Sequence, residues 1–101
     1  MSLVTAAQLR GRLLMEEAGL AEDWLAFWES IRIDPDIWSS PASSDYGFGF
    51  WALALHGQDV VWFDSLREGF AVSSWTRHGA LGTLRHRGPD LAGVLELAFA
   101  K

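Results

Sequence analysis

The chain contains no cysteine and a single lysine, Lys101, and both shortages exclude classes of function. Without cysteine there is no disulfide framework, no thiolate zinc site and no cysteine nucleophile. Positive charge is also in short supply, since the formal net charge is −5. Because nonspecific nucleic-acid binding depends on Lys and Arg that neutralise phosphates, this balance argues against a nucleic-acid partner.

Long apolar runs are missing as well. Arg10, Arg12, Glu16 and Glu17 interrupt the N-terminal stretch, so we expect neither a signal peptide nor a membrane span there. We therefore expect a soluble, cytoplasmic protein with no membrane partner. The excess of arginine and alanine over lysine is typical of GC-rich bacterial genomes and predicts a bacterial source.

Apolar residues are plentiful, making up 50% of the 101 residues and including six Trp and six Phe. A chain of this size and composition can form one compact core, so we predict a single globular domain over residues 1–101. Neither a disulfide nor a metal is needed to stabilise it.

Two helices are predicted at the N-terminus. Thr5 caps the first, Gln8 completes a capping box, and Gly19 ends it. The second runs over residues 21–31 and carries apolar side chains at i, i+3, i+4 and i+7, which are Trp24, Phe27, Trp28 and Ile31. This stripe is typical of core packing, with ligand stacking as the alternative.

Residues 32–46 contain two prolines and four serines and are predicted to form a loop. Trp38 lies inside this loop. A tryptophan in such a position either fills a gap in the core or stands at a binding edge.

A β-hairpin follows, with strands over residues 48–56 and 60–64 and a two-residue turn at Gly57-Gln58. The turn predicts the cross-strand pairs Leu55 with Val60, Ala54 with Val61, Leu53 with Trp62, Ala52 with Phe63 and Trp51 with Asp64. Both faces of this hairpin are apolar, so both need cover. The three predicted helices would supply it on both faces, or a second copy or partner would cover one.

Strands at residues 70–76 and 81–87 and a final helix opening at Gly88-Pro89-Asp90 complete the pattern. The predicted fold is α+β: two N-terminal helices, a four-stranded antiparallel sheet and one C-terminal helix, in the order αα-ββββ-α. Gly82 is expected to mark a bulge or a close approach of two backbones.

Motifs for catalysis, metals or cofactors are sparse. No histidine has a second ligand at helical metal spacing, and no serine lies in a G-x-S-x-G elbow. We therefore predict no metal site and no cofactor. His56 and Asp59 face each other beside the first turn, which indicates either a surface ion pair or an oriented imidazole.

Two charged groups remain as candidate sites. Asp64 and Glu68 flank the loop after the second strand, either as turn formers or as paired carboxylates for acid and base catalysis. A positive cluster near the last hairpin suits an acidic partner or a phosphate, or is simply solvated. Its members are Arg77, His78, Arg85, His86 and Arg87.

The segments G-F-W-A-L-A-L-x-G at 49–57, V-V-W-F-D at 60–64 and L-R-E-G-F-A-V-S at 66–73 resemble a family of small uncharacterised bacterial proteins. Its pattern reads G-F-W, then W-Y-N-D, then E-E-G-F-N-x-S. The chain departs from it at Phe63-Asp64-Ser65 and at Ala71. The resemblance implies a bacterial α+β domain and no catalytic residue.

The function favoured by these features is a non-catalytic bacterial interaction domain of the immunity or antitoxin kind, whose partner is another protein or a second copy. Interfaces favour Trp and Arg as anchors, so the candidate binding residues are Trp38, Trp51, Trp62 and Arg67, with Asp64 and Glu68 beside them. Substitution of Trp62 by Ala is expected to weaken a complex without unfolding the domain. The alternatives are a small-molecule or carbohydrate-binding module that uses Trp stacking, and a hydrolase that uses Asp64 and Glu68.

Overall fold

The computed structural model describes residues 5–38, 50–65 and 67–100. Within these ranges the helices are α1 (Ala6–Ala18), α2 (Glu22–Ile31) and α3 (Leu91–Phe99). The strands are β1 (Arg32–Trp38), β2 (Phe50–His56), β3 (Asp59–Asp64), β4 (Gly69–Ser74) and β5 (Leu84–Gly88). They form one antiparallel sheet in the order β1-β2-β3-β4-β5, so the predicted α+β class is confirmed and the sheet has five strands where four were predicted.

The additional strand is β1, which occupies part of the segment predicted to be a loop. It pairs with β2, with a register shift between Arg32 and Asp36. Proline is tolerated in a sheet only at an edge or a bulge, and Pro35 lies in an irregular stretch of an edge strand. The remainder of the predicted loop, residues 39–46, lies outside the described residues, as do residues 47–49, which include the predicted start of the first hairpin strand.

The N-terminal helices follow their sequence signals closely. The Thr5 hydroxyl accepts a hydrogen bond from the Gln8 backbone N–H at 3.1 Å, and the Gln8 side chain accepts one from the Thr5 N–H at 2.9 Å. The predicted capping box is thus confirmed, and Gly19 forms the C-cap. In α2, Trp28 and Ile31 are buried and the other members of the stripe pack partly buried against the same core.

The hairpin between β2 and β3 turns at Gly57, whose φ of 59° fits the first position of a type II′ turn. The predicted pairs nearest the turn, made by Ala54 and Leu55, are confirmed. Farther from the turn the predicted register is wrong, because Leu53 is an extra residue in a β-bulge. The pairs observed beyond the bulge are Ala52 with Trp62 and Trp51 with Phe63.

Each face of the sheet carries its own hydrophobic core. On one, here called the helix face, all three helices pack on strand residues that include Leu53, Ala54, Val61, Phe63, Phe70 and Val72. On the other, called the second face, the buried residues are Trp38, Phe50, Ala52, Val60, Trp62, Ala71 and Leu81. No residue of the described helices belongs to the second core, so the expectation that helices cover both faces is wrong.

Two side chains of α1 attach it to the start of α3. The Arg12 guanidinium lies 5.3 Å from the centre of the Phe70 ring and donates to the Pro89 carbonyl at 3.0 Å. Glu16 accepts a hydrogen bond from Arg12 Nε at 2.9 Å and another from the Leu91 N–H at 3.0 Å. The first and last helices are therefore linked by a charged pair that bonds directly to backbone.

The last helix begins slightly later than predicted. Asp90 is its N-cap and accepts a hydrogen bond from the Gly93 N–H at 2.7 Å, so Pro89 precedes the helix instead of opening it. The close approach predicted at Gly82 is confirmed, since a Cβ there would lie 2.7 Å from the Ser74 carbonyl oxygen. Among the described helices, none has both the length and the apolar character to cross a membrane.

Candidate interaction groove

The tryptophans proposed as interface anchors lie mostly inside the protein. Trp38 is fully buried and Trp62 is 7% exposed, with its indole N–H donating to the Ser73 hydroxyl at 3.0 Å. Trp51 is half-buried and packs against the helix-face core. The tryptophan in the predicted loop therefore fills the core, and all six tryptophans of the chain, which lie within the described residues, are buried or half-buried.

The predicted carboxylate pair belongs to the turn between β3 and β4. Asp64 is 4% exposed and accepts hydrogen bonds from the Arg67 N–H and from Arg67 Nη1, both at 3.3 Å. Glu68 is exposed and has a positive φ of 52°. Asp64 thus organises the turn, and Glu68 occupies the left-handed position that closes it.

The predicted positive cluster is divided between different surroundings. Arg85 forms an ion pair with Asp59 at 3.3 Å, whereas His78 stacks edgewise on Trp38 at a ring distance of 4.9 Å. His56 lies opposite Asp59 in the hairpin, as predicted, but its ring contacts Phe27 and Phe99 instead. Within the described residues, no group of three or more His, Cys, Asp or Glu could hold a metal ion.

A groove of about 340 Å³ lies between α1 and β1. Its α1 wall is one helix face, with side chains at i, i+3, i+4 and i+7: Arg10, Leu13, Leu14 and Glu17. The opposite wall consists of the first residues of β1, Arg32, Ile33, Asp34 and Pro35. Trp28 and Leu53 form the floor. The groove therefore has an apolar centre and charged residues along both walls.

One carboxylate fixes the floor of this groove to its walls. Glu17 Oε2 accepts a hydrogen bond from the Trp28 indole N–H at 2.7 Å and another from Arg32 Nη1 at 2.8 Å. The Glu17 side chain is only 15% exposed. The single oxygen thus joins α1, α2 and β1, so the shape of the groove is held before anything binds.

Leu14 is the groove residue whose exposure is hardest to explain by folding alone. Its relative exposure is 68%, although the groove beside it offers apolar surface. Met15, its neighbour in sequence, is 75% exposed but does not line the groove. Large apolar side chains exposed beside a concave apolar surface are typical of binding sites.

The sequence pattern does not reveal this groove, because residues 32–38 have the composition of a loop and the tryptophans are the more prominent candidates for binding. Leu14 gives a signal in α1, because it lies five residues after Leu9 and therefore off the helix face on which Leu9 and Leu13 pack against the core. A large apolar side chain outside the core-facing stripe of a helix indicates a second contact surface.

No family model, curated protein or solved structure matches the chain. The resemblance to small bacterial proteins through the G-F-W pattern therefore stays a prediction, and the groove has to be interpreted from its own chemistry.

Proposed function

We propose that the protein is a non-catalytic interaction domain that binds another protein through the groove between α1 and β1. The observation that carries this proposal is the 68% exposure of Leu14 at the side of a groove with an apolar floor. Protein interfaces combine a desolvated apolar centre with a polar rim, and this groove has both.

The charges around the groove favour a polypeptide partner over a simple ion. Arg10 and Arg32 lie on opposite walls, and Asp34 is exposed on the β1 side. Both signs are therefore present, which suits a partner with an apolar side chain flanked by charged residues. The irregular pairing of β1 near Pro35 makes simple addition of a partner strand unfavourable, so side-chain insertion is the favoured mode.

The alternative functions have less support. Stacking of a sugar or nucleotide needs an accessible indole face, and the six tryptophans are buried or half-buried. A hydrolase using Asp64 and Glu68 needs both carboxylates in one cleft, whereas the hollow beside Asp64 is not lined by Glu68.

Co-purification from lysate of the source organism tests the proposal with a matched pair of variants. Leu14→Glu places a charge in the groove, and Met15→Glu places the same charge on the same helix outside it. Both side chains are largely exposed, so each change is expected to alter the free energy of unfolding by no more than about 0.5 kcal/mol. We expect wild type and Met15→Glu to retain a stoichiometric partner that Leu14→Glu loses.

A partner recovered equally with Leu14→Glu would contradict the proposed groove. Sedimentation velocity of the three purified proteins covers the case in which the partner is a second copy, because Leu14→Glu alone should then remain monomeric. A toxic enzyme as the partner would support the immunity-like form of the proposal, and growth rescue on co-expression would test it.

A further inference from the structure

A second concave site lies at one end of the sheet, beside the turn that joins β3 to β4. Asp64 and Gly69 are cross-strand partners at this end, and Arg87 on β5 pairs with Ala71, two residues farther along the same face of β4. A hollow of about 250 Å³ lies beside them, distinct in its lining residues from the groove between α1 and β1.

The backbones of β4 and β5 are in close contact beside this hollow. A Cβ atom on Gly69 would lie 2.6 Å from the Gly88 carbonyl oxygen, so only glycine fits at this position without a shift of the backbone. The hollow is lined by these two glycines and by Asp64, Arg67, Phe70, Arg87 and Pro89.

The two guanidinium groups are incompletely used by the protein. Arg67 donates one side-chain hydrogen bond, through Nη1 to Asp64 at 3.3 Å, and its side chain is 56% exposed. Arg87 is exposed, and its guanidinium forms no hydrogen bond or ion pair with any residue in the described ranges. Each guanidinium presents several N–H donors in one plane, so most of their donor capacity remains for a ligand.

We propose that this hollow binds an oxyanion, a phosphate or carboxylate group, between the guanidinium groups of Arg67 and Arg87. Its lining includes two positive groups and one carboxylate beside the apolar Phe70 and Pro89, and the carboxylate of Asp64 is already bonded to Arg67. A bound oxyanion compensates the remaining positive charge and accepts charge-assisted hydrogen bonds from both sides. Asp64 positions Arg67 for this role through the backbone and side-chain bonds that fix the turn.

The site is unusual for this chain because the protein as a whole is acidic, with a net charge of −5. An anion is repelled by most of the surface, so binding at this hollow depends on local geometry and not on a general positive field. Removal of one arginine that lines the hollow should therefore affect binding far more than removal of an equal charge elsewhere.

Titration of the ¹⁵N-labelled protein with phenyl phosphate and, separately, with benzoate tests the proposal, with sodium chloride at matched ionic strength as the reference. We expect saturable shifts of the backbone amides of Arg67, Gly69 and Arg87. Arg87→Gln should weaken binding about tenfold or more, as loss of a charge-assisted hydrogen bond predicts. Arg77→Gln removes the same charge from outside the hollow and should change the dissociation constant by about twofold at most, because exposed distant charges are screened.

Arg67→Gln provides a second variant, and we expect it to lose as much affinity for the oxyanion as Arg87→Gln. Tighter binding of phenyl phosphate identifies a phosphoryl ligand, and tighter binding of benzoate identifies a carboxylate. Shifts that follow ionic strength alone, or an equal loss of affinity in Arg77→Gln, would overturn the proposal. Because no groove residue is altered, failure here leaves the proposed interaction function unaffected.

Discussion

The Trp62 indole N–H donates a hydrogen bond to the Ser73 hydroxyl 3.0 Å away, and both side chains are buried on the second face. Substitution Ser73→Ala leaves this indole donor without its acceptor. We expect a loss of about 1–3 kcal/mol in the free energy of unfolding, the penalty for an unsatisfied buried polar group. Urea denaturation measures it, with the exposed Ser30→Ala as a matched control. Equal stability of Ser73→Ala and wild type would contradict a structural role for this bond.

Because Trp62 is buried, its substitution is expected to affect the stability of the fold instead of a binding surface. At 7% exposure it has little surface to offer a partner, and it packs against Phe50 with a ring distance of 4.7 Å. Trp62→Ala should therefore cost about 3–5 kcal/mol of stability, as for other large core residues. Thermal and urea denaturation measure this cost. A variant with near-native stability would restore Trp62 as an interface candidate.

Backbone strain in the β3–β4 turn is concentrated at Glu68. It is the only non-glycine among the described residues with a positive φ, 52°. Glycine adopts this conformation without a Cβ clash, so Glu68→Gly should be more stable than Glu68→Ala by about 1 kcal/mol. Comparison of these two variants removes the effect of the lost charge. Equal stabilities would show that the left-handed conformation carries no measurable cost here.

Two glycines are expected to respond to alanine in opposite directions. Gly69→Ala places a Cβ 2.6 Å from the Gly88 carbonyl oxygen and should destabilise the protein by about 1–3 kcal/mol through overpacking. Gly11 is exposed in α1, and a Cβ added there would meet nothing within 4 Å. Gly11→Ala should therefore stabilise by about 0.5–1 kcal/mol through helix propensity. The two unfolding midpoints should move to opposite sides of the wild-type value.

The carboxylate of Glu17 is expected to be important for stability as well as for the groove. Glu17→Ala leaves the buried Trp28 indole N–H without its 2.7 Å acceptor and should cost about 1–3 kcal/mol. Glu17→Gln keeps an acceptor oxygen, so its free energy of unfolding should fall by less than that of Glu17→Ala. Urea denaturation of both variants measures the difference. If they are equally stable, the indole bond is not the source of the effect.

Local signals in the sequence predicted the helices well. Thr5, Gln8 and Gly19 specify the ends of α1 by capping chemistry that acts within a few residues, and this chemistry is independent of tertiary context. The same holds for the turn at Gly57, which requires a positive φ. Predictions of this kind succeed because the responsible interactions are local.

The errors concern features that only the assembled sheet decides. Strand β1 contains Pro35 and exposed acidic residues, which is compatible with a strand only because it lies at the sheet edge. The bulge at Leu53 changes the register without a glycine to signal it. The groove also depends on the assembled sheet, since its second wall is β1, whose composition is that of a loop.

The link from α1 to the start of α3 has a consequence for synthesis of the chain. Arg12 and Glu16 bond to backbone groups of Pro89 and Leu91, which lie 77 and 75 residues farther along the sequence. During synthesis α1 is therefore made well before the segment that bonds to its polar side chains. Contacts between such distant positions slow folding. Until that segment emerges, the apolar side chains of α1 remain open to chaperones and to neighbouring chains.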